Sequence, residues 1–571
     1  MKLSELRIKN FRNFDEVSVS LSNKNLVFGM NDVGKSNFLC AIRFLLDYKF
    51  RNKGFSKSDF HNYNVSEPIE ITLIIELETD GQNYDNDSEK LIAKLHGARG
   101  SDENNVFIKL KANYIEHDDR VEPHLYWGTN EDDLSEIPTR GISYLESDTL
   151  FEVVYFEPNI SMKRLFKSNK NKIFNEREQI EEDSQIIKDI EESAKSINKK
   201  ISDLSVVKNF EEDINLEYGN LRKEDFSIKL KSEIAVNKYY DYIVPYITHA
   251  DSEEDIYPTS GDGRQKVISY ALLNYLNKSE KDDKIKIFLI EEPENSLHRS
   301  MIISLSRQLF AEESIYDYFF LTTHSNELLY ELDHAALIRL YNSGNTKASS
   351  VIFHHDEEQK NIKRRLNKQL SSAFFANKIL LVEGPSEAIL IDSIFEALEV
   401  EYEHDGGFIL ETNGIDFSPY VNKLSALGIN CFVKTDNDIK KVPKGKPNMY
   451  SLIGINRCIR LVEGTELESR EINNENRLEI KKSLYSEFET MIHSFEGNNI
   501  YLSKIDLEND LFEIIPDKMQ EIFGNNPIDT LQKAKKYNMI ELVDKLEKEN
   551  FKAIYEHENF KVIKRFNEYG K

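Results

Sequence analysis

"KILLVEGPSEAIL" (Lys378–Leu390) decides how the second half of the chain is read. Apolar residues Ile379–Val382 run as a strand into Glu383, and a Gly-Pro turn follows. Glu387 stands where a helix over Ala388–Leu398 begins. Strand Phe408–Leu410, helix Phe417–Leu427 and strand Cys431–Lys434 come next. Such alternation predicts a small parallel sheet. Both glutamates then lie at its carboxyl edge, where open α/β sheets build their sites.

Working outward, "CFVKTDNDIK" ends another apolar strand on Asp436 and Asp438. Residues i and i+2 of a strand share a face, so these two are expected to converge on one metal. "YLSKIDLENDL" adds Asp506, Glu508 and Asp510. Carboxylates without thiols or imidazoles suit hard divalent cations, Mg²⁺ or Mn²⁺. Three such clusters on one sheet edge can hold two ions for in-line displacement at phosphorus. Farther on, "TLQKAKKYNMIEL" offers Lys533 and Lys535 to stabilise transition-state charge. Taken singly, a D-x-D is more often a turn or helix cap, and a helical lysine is usually solvated. The argument rests on their order and their shared place at strand ends.

A second centre lies near the start. "LVFGMNDVGKSNFL" contains G-x(4)-G-K-S, Gly29–Ser36, between an apolar strand and a helix over Lys35–Tyr48. Backbone N–H groups of such a loop wrap phosphates, Lys35 reaches the terminal ones and Ser36 can ligate Mg²⁺. Asn31, Gly34 and Asn37 complete the expected contacts to ATP. Asp32 departs from the glycine often found at its position. "KIFLIEEPENSLHRS" ends an apolar strand on Glu291, placed to hold Mg²⁺, and Glu292, placed to polarise water. "FFLTTHSNELL" ends another on His324, within reach of a γ-phosphate. In "YPTSGDGRQK", Ser260, Gly261 and Gly263 open a helix. This order resembles the ATP-binding-cassette (ABC) heads of the recombination and chromosome-maintenance ATPases. The resemblance implies that ATP is sandwiched in a head-to-head dimer, the Ser-Gly segment of one subunit closing over ATP held by the other. It also makes Arg12, in "IKNFRNF", a phosphate or base contact.

At 571 residues the chain is too long for one core, and its net charge of −26 argues against a general nucleic-acid coat. It leaves room for a DNA enzyme, because bound metal ions supply their own positive charge. "MKRLFKSNKNK" and "KNIKRRLNK" are local basic stretches, each read singly as a solvated face or linker. Three scattered cysteines form neither a disulfide framework nor a zinc site. No apolar run reaches the ~18 residues of a membrane span, and the start lacks a signal peptide's apolar stretch, so a cytoplasmic protein is expected. Charged, helical sequence follows residue 165; there Ile187, Ile190, Ala194, Ile197, Ile201 and Leu204 step by three and four. A dimerising seam and an amphipathic helix packed on its own domain both fit.

An ABC head followed by this acidic pattern resembles the OLD-family (overcoming lysogenisation defect) nucleases, which join the head to a Toprim metal domain. The stretches FGMNDVGKSNFL, YPTSGDGR, LIEEPENSLHRSM, LLVEGPSE, KTDND and YLSKIDLENDL carry the likeness over nearly the whole chain, nearest to the Gabija branch of bacterial anti-phage systems. The implied fold is α/β: ABC N-lobe over 1–165, helical dimerisation insert over 166–245, ABC C-lobe over 246–370, Toprim domain with helical tail over 371–571. The resemblance implies Glu383 as general base or first-metal ligand, with Glu387, Asp436 and Asp438 completing metal binding. Asp506 and Glu508 become second-site ligands and Lys535 the catalytic lysine, Lys533 a substitute. It further implies a nucleotide-gated endonuclease acting on double-stranded DNA as a homodimer or homotetramer, with a UvrD-like helicase partner (GajB).

Two other classes compete. One is an assembly ATPase whose acidic domain only docks DNA or a partner; it fits a decayed site, and no acidic motif position is lost here. The other is a topoisomerase or primase, which needs a tyrosine nucleophile in a separate cleavage domain; none of the 27 tyrosines stands in such a context.

Overall fold

Alternating burial builds the first layer. Strands Lys2–Phe11, Phe14–Ser20, Ile69–Glu76, Asn105–Ile115, Arg120–Gly128 and Ser135–Glu136 form an antiparallel sheet. Every second residue of Asn105–Ala112 is buried, the period expected of a sheet covered on one face. In the computed structural model, residues 1–80, 83–95, 104–140, 144–159, 164–167, 183–221, 229–230, 247–249, 252–257, 262–279, 284–311, 316–331, 335–352, 370–412, 416–442, 448–472 and 476–570 are described.

These residues divide into two units, Met1–Tyr155 with Lys284–Glu294 and Arg299–Lys571, and Phe156–Asp283 with Asn295–His298. In the first unit a second sheet runs in the order Phe151–Phe156, Ile285–Glu291, Tyr318–Thr323, Lys24–Phe28, Ala335–Ser343, Asn345–Ile352. Its central strands are parallel and almost wholly buried, as βαβ connections require. Helix Lys35–Leu46 buries Phe38, Leu39, Ile42 and Leu45 in the core shared with the antiparallel layer. Phe38 is fully buried, edge-on to Phe14, so its truncation to Ala costs ~3–5 kcal/mol.

The same unit carries a four-stranded sheet in the order Gly407–Glu411, Lys378–Val382, Asn430–Thr435, Ile500–Leu502, parallel throughout. This is the sheet expected from the alternating pattern. Lys378–Val382 is buried at every position, with helix Pro385–Ala397 and the C-terminal helices packed over it. One expectation is corrected. The strand ends at Thr435, so Asp436 and Asp438 lie in a turn closed by a bond from Asp438 N to Asp436 O of 2.9 Å, not on one strand face.

Arg339 joins the two parallel sheets. It pairs in register with Phe28, the last residue before the phosphate loop. Its buried guanidinium donates to Leu427 O (3.2 Å), Gly428 O (3.1 Å), Ala376 O (2.7 Å) and Asn377 Oδ1 (2.8 Å). Those acceptors precede the strands that lead to Glu383 and Asp436. Burial among uncharged acceptors pulls the Arg339 pKa down to about 10.

The second unit holds helices Asp183–Ser202, Ser205–Leu221 and Asp262–Ser279 and the hairpin Ile247–His249 with Ser252–Tyr257. Ile190, Ile197, Ile201 and Leu204 of the expected seam are exposed. Ser260, Gly261 and the stretch Lys360–Lys368 lie outside the described residues, as does most of Met162–Lys172. Among the described residues no helix is long and apolar enough to cross a membrane.

Candidate functional sites

The phosphate loop is shaped by its glycines. Gly29 has φ +152°, and a Cβ there would sit 2.2 Å from Leu340 O, so only glycine fits. Asp32 takes φ +63°, a left-handed conformation that aspartate tolerates better than most residues, which accounts for its departure from glycine. Lys35 folds back onto Gly29 O (3.1 Å) and Met30 O (2.8 Å), and burial lowers its pKa against the pull of Glu292 and Glu294. Asn13, Asn31, Asp32, Gly34, Lys35, Ser36, Asn37, Glu292 and His324 line an open cavity of about 540 Å³.

The acidic strand delivers its two glutamates differently. Glu291 is buried, one oxygen accepting from Ser36 Oγ and the other from the Tyr155 hydroxyl. Burial and Glu291 together raise the Tyr155 phenol. Glu292 has φ +42° and meets His324 Nε2 at 2.5 Å. Glu294 accepts from Thr323 Oγ1 (2.7 Å) and His324 N (2.6 Å), fixing the end of that strand. Arg12 is held by Asp59 (2.8 Å) and Asn37 Oδ1 (2.8 Å), which ties it to the helix that carries Ser36. Tyr155, Asn13 and Glu294 were missed in the sequence; only their fold neighbours mark them.

At the carboxyl edge of the four-stranded sheet, Glu383 Oε1 accepts from Thr435 Oγ1 (2.6 Å), Asp436 N (2.9 Å) and Arg457 Nη1 (2.6 Å). Glu387 caps its own helix through Gly384 N (2.7 Å). Burial, and next the charge of Glu383, push the Glu387 carboxyl up to about 7. Asp436 is raised well above the carboxylate range by burial and by Glu383 and Glu387, and one oxygen accepts from Leu507 N (3.1 Å). Asp438 is half-exposed, between Arg457 (3.5 Å) and Lys481 (3.5 Å).

Asp506 caps helix Leu507–Ile514 through Asn509 N (3.0 Å) and lies 3.8 Å from Lys481. Glu508 is 1% exposed; one oxygen meets Lys535 at 3.3 Å, and the other has no hydrogen-bond partner among the described residues. Burial works to lower the Lys535 pKa, but Glu508 and Asp436 outweigh it and hold it above the usual value. Lys533 is exposed and pairs with no carboxylate among the described residues. Asp510 is buried against Lys434 (3.2 Å), itself held by Ser503 Oγ (2.8 Å), which makes that pair part of the packing.

The structure thus gathers Glu383, Glu387, Asp436, Asp438, Asp506 and Glu508 with Lys535 at one edge. An unpartnered buried oxygen on Glu508 and an all-oxygen donor set fit hard divalent ions. Yet among the described residues no three acidic, histidine or cysteine side chains already converge as a metal-holding group. Arg457 and Lys481 lie between the carboxylates instead. Neither was anticipated, because a cation on a helix reads as solvated.

A phosphate loop on one parallel sheet and a carboxylate edge on the next mark an ATPase head joined to a Toprim domain. Residues 1–208 match the AAA ATPase domain family, and residues 374–438 match the family described as overcoming lysogenization defect protein-like, TOPRIM domain. The chain is 45% identical over 579 residues to "Endonuclease GajA" of Bacillus cereus (strain VD045), covering 99% of each. It is 24% identical over 432 residues to "Old nuclease" of Escherichia phage P2, covering 70% of each. Among solved structures it resembles the Smc head domain of Pyrococcus furiosus bound to the C-terminal domain of ScpA, at 15% identity and a TM-score of 0.36, covering 64% of this chain and 100% of that one. The chain belongs to the OLD-family ATPase–Toprim nucleases, the family that includes Endonuclease GajA.

Proposed function

We propose that the chain is a divalent-metal-dependent DNA endonuclease of anti-phage defence, its Toprim centre gated by ATP bound at the head. The observation that carries this reading is the edge where Glu508, with its unpartnered oxygen, and Lys535 stand beside Glu383, Glu387 and Asp436. Mg²⁺ or Mn²⁺ bound there would supply Lewis acidity and a nucleophilic water at neutral pH. Glu383, Glu387, Asp436 and Asp438 would hold one ion, Asp506 and Glu508 the other. Glu383 would also take a proton from the attacking water, and Lys535 would offset charge that develops on the phosphate.

At the head, Asn31, Gly34, Lys35 and Asn37 would hold the phosphates of ATP, while Ser36 and Glu291, hydrogen-bonded to each other, would serve as Mg²⁺ ligands. Glu292 and His324 would orient water at the γ-phosphate. Arg12 and, from a second subunit, Ser260 and Gly261 would complete the nucleotide contacts. A cytoplasmic homodimer or homotetramer acting on double-stranded DNA, with a UvrD-like helicase (GajB) as partner, belongs to the same reading, as does dimerisation through the helical insert.

The test is nicking of supercoiled plasmid by the purified protein with Mg²⁺ or Mn²⁺. Conversion to open circle by wild type and none by Glu383→Ala supports the reading; an active Glu383→Ala protein removes it. The cations interposed among the carboxylates favour a second reading, an ABC-type assembly ATPase whose Toprim domain only docks DNA or a partner. Robust ATP turnover with no cleavage across several metals would select it.

A further inference from the structure

Glu383, Arg457, Asp438, Lys481 and Asp506 form a chain of alternating charge across the Toprim edge. Its successive separations are 2.6, 3.5, 3.5 and 3.8 Å. It runs through all three acidic motifs. Both cations come from the segment between strands Asn430–Thr435 and Ile500–Leu502, and both are locked to the D-x-D turn. Helix Ile453–Leu461, which carries Arg457, begins against that turn: Gly454 N donates to Asp438 O at 3.0 Å. A Cβ at Gly454 would lie 2.3 Å from Asp436 O. Helix Arg477–Glu487, which carries Lys481, accepts a bond from Asn437 Nδ2 at Lys481 O (3.0 Å). The Arg457 and Lys481 side chains are 15% and 13% exposed, too enclosed for ordinary surface cations.

We infer that Arg457 and Lys481 are built-in counter-ions that occupy the metal-ligand carboxylates and must be displaced before divalent ions bind. This rests on the metal-dependent reading above. Like charges packed this closely repel, and a guanidinium at 2.6 Å from Glu383 offsets that cost in the metal-free protein. The same contact then opposes metal loading, because one carboxylate oxygen cannot serve the guanidinium and an ion at full strength. A DNA phosphate is a strong alternative partner for a planar guanidinium. DNA that draws Arg457 away from Glu383 therefore raises metal affinity, and by linkage metal raises DNA affinity. The arrangement couples loading of the metal to arrival of the substrate. Arg457 and Lys481 are thus positioning residues.

The experiment measures Mn²⁺ binding by calorimetry on the full-length protein, with and without a short duplex of nuclease-resistant phosphorothioate linkages. Without DNA, Arg457→Gln is expected to bind Mn²⁺ about tenfold more tightly than wild type, the scale of one lost charge-assisted hydrogen bond. Arg457→Lys is expected to stay near wild type. The duplex is expected to tighten Mn²⁺ binding by wild type but not by Arg457→Gln. Lys481→Met tests the other end of the chain and should shift in the same direction. Equal or weaker Mn²⁺ binding by both Arg457→Gln and Lys481→Met would overturn the inference, since a merely structural role weakens the site. Glu383→Gln separates the two failures: if wild type binds no more Mn²⁺ than this variant, the metal-dependent reading falls as well.

Discussion

The ring of Phe28, the last strand residue before the phosphate loop, lies 5.4 Å centroid to centroid from the ring of Phe375. Phe375 stands just ahead of the strand Lys378–Val382 that ends at Glu383. Arg339 adds a polar link from the same edge of the head sheet to the segments just ahead of the strands Lys378–Val382 and Asn430–Thr435. Packed rings and hydrogen bonds thus join the end of the strand before the phosphate loop to the strand that ends at Glu383, and packed interfaces transmit strain rather than absorb it.

Phe375→Ala is expected to uncouple the centres. Cleavage without ATP should persist, while the ratio of rates with and without ATP moves toward one. The half-buried ring should cost about 2 kcal/mol on truncation, roughly half the value for a fully buried phenylalanine, read as a Tm lowered by a few degrees. An unchanged ATP response in the folded variant would exclude this route.

ATP itself is expected to act as a brake. Plasmid nicking in Mg²⁺ should fall as ATP rises from zero to millimolar, and Lys35→Ala should nick at the same rate throughout because it no longer holds the phosphates. Nicking that requires ATP would reverse the sign.

Glu292→Gln should keep ATP binding but lower steady-state hydrolysis by about 10²-fold, the scale of a lost general base. The 2.5 Å contact with His324 makes Glu292, rather than Glu291, the residue facing the cavity. Equal rates would remove Glu292 from the mechanism.

Stability of the metal-free protein should fall as pH rises from 5 to 8. Glu387 and Asp436 both have folded pKa values raised above the unfolded ones, so their contributions are full at low pH; that of Glu387 is lost as pH climbs through about 7, and Asp436 acts in the same direction. Divalent ions need the deprotonated carboxylates, so Mg²⁺ should raise the Tm more at pH 8 than at pH 6. Glu387→Gln should flatten the pH dependence. A metal-free Tm that rises over the same range would contradict the charge arrangement.

Lys535→Met should lower kcat by about 10²- to 10³-fold, with KM for DNA little changed, as expected for a charge that acts on the transition state. Lys533→Met should cleave like wild type, because that side chain is exposed and pairs with no carboxylate among the described residues.

The parts that were legible in the sequence are those whose chemistry is local. The phosphate loop, the acidic strand ending at Glu291 and Glu292, and the apolar strand ending at Glu383 each announce themselves by short-range pattern. The resemblance favoured Lys535 over Lys533 as the catalytic lysine; the contact of Lys535 with Glu508 comes from a helix that starts at Lys535, which no local pattern shows. The D-x-D was read as a strand face because apolar residues run up to it, whereas the chain turns one residue earlier. Arg457 and Lys481 were not legible at all. Their roles come from helices brought in by the segment between two strands, and no local pattern separates a cation aimed at a carboxylate cluster from one in water. The Arg339 joint was hidden for the same reason, since its partners are backbone carbonyls far away in sequence.

The most direct measurement is the nicking of supercoiled plasmid in Mn²⁺, without nucleotide, by wild type and by Glu383→Ala of equal Tm in excess metal. Open circle formed by wild type, lost on chelation and absent with Glu383→Ala is the expected result. Nicking of equal rate by both proteins would contradict the claim that the Toprim edge is the cleaving centre.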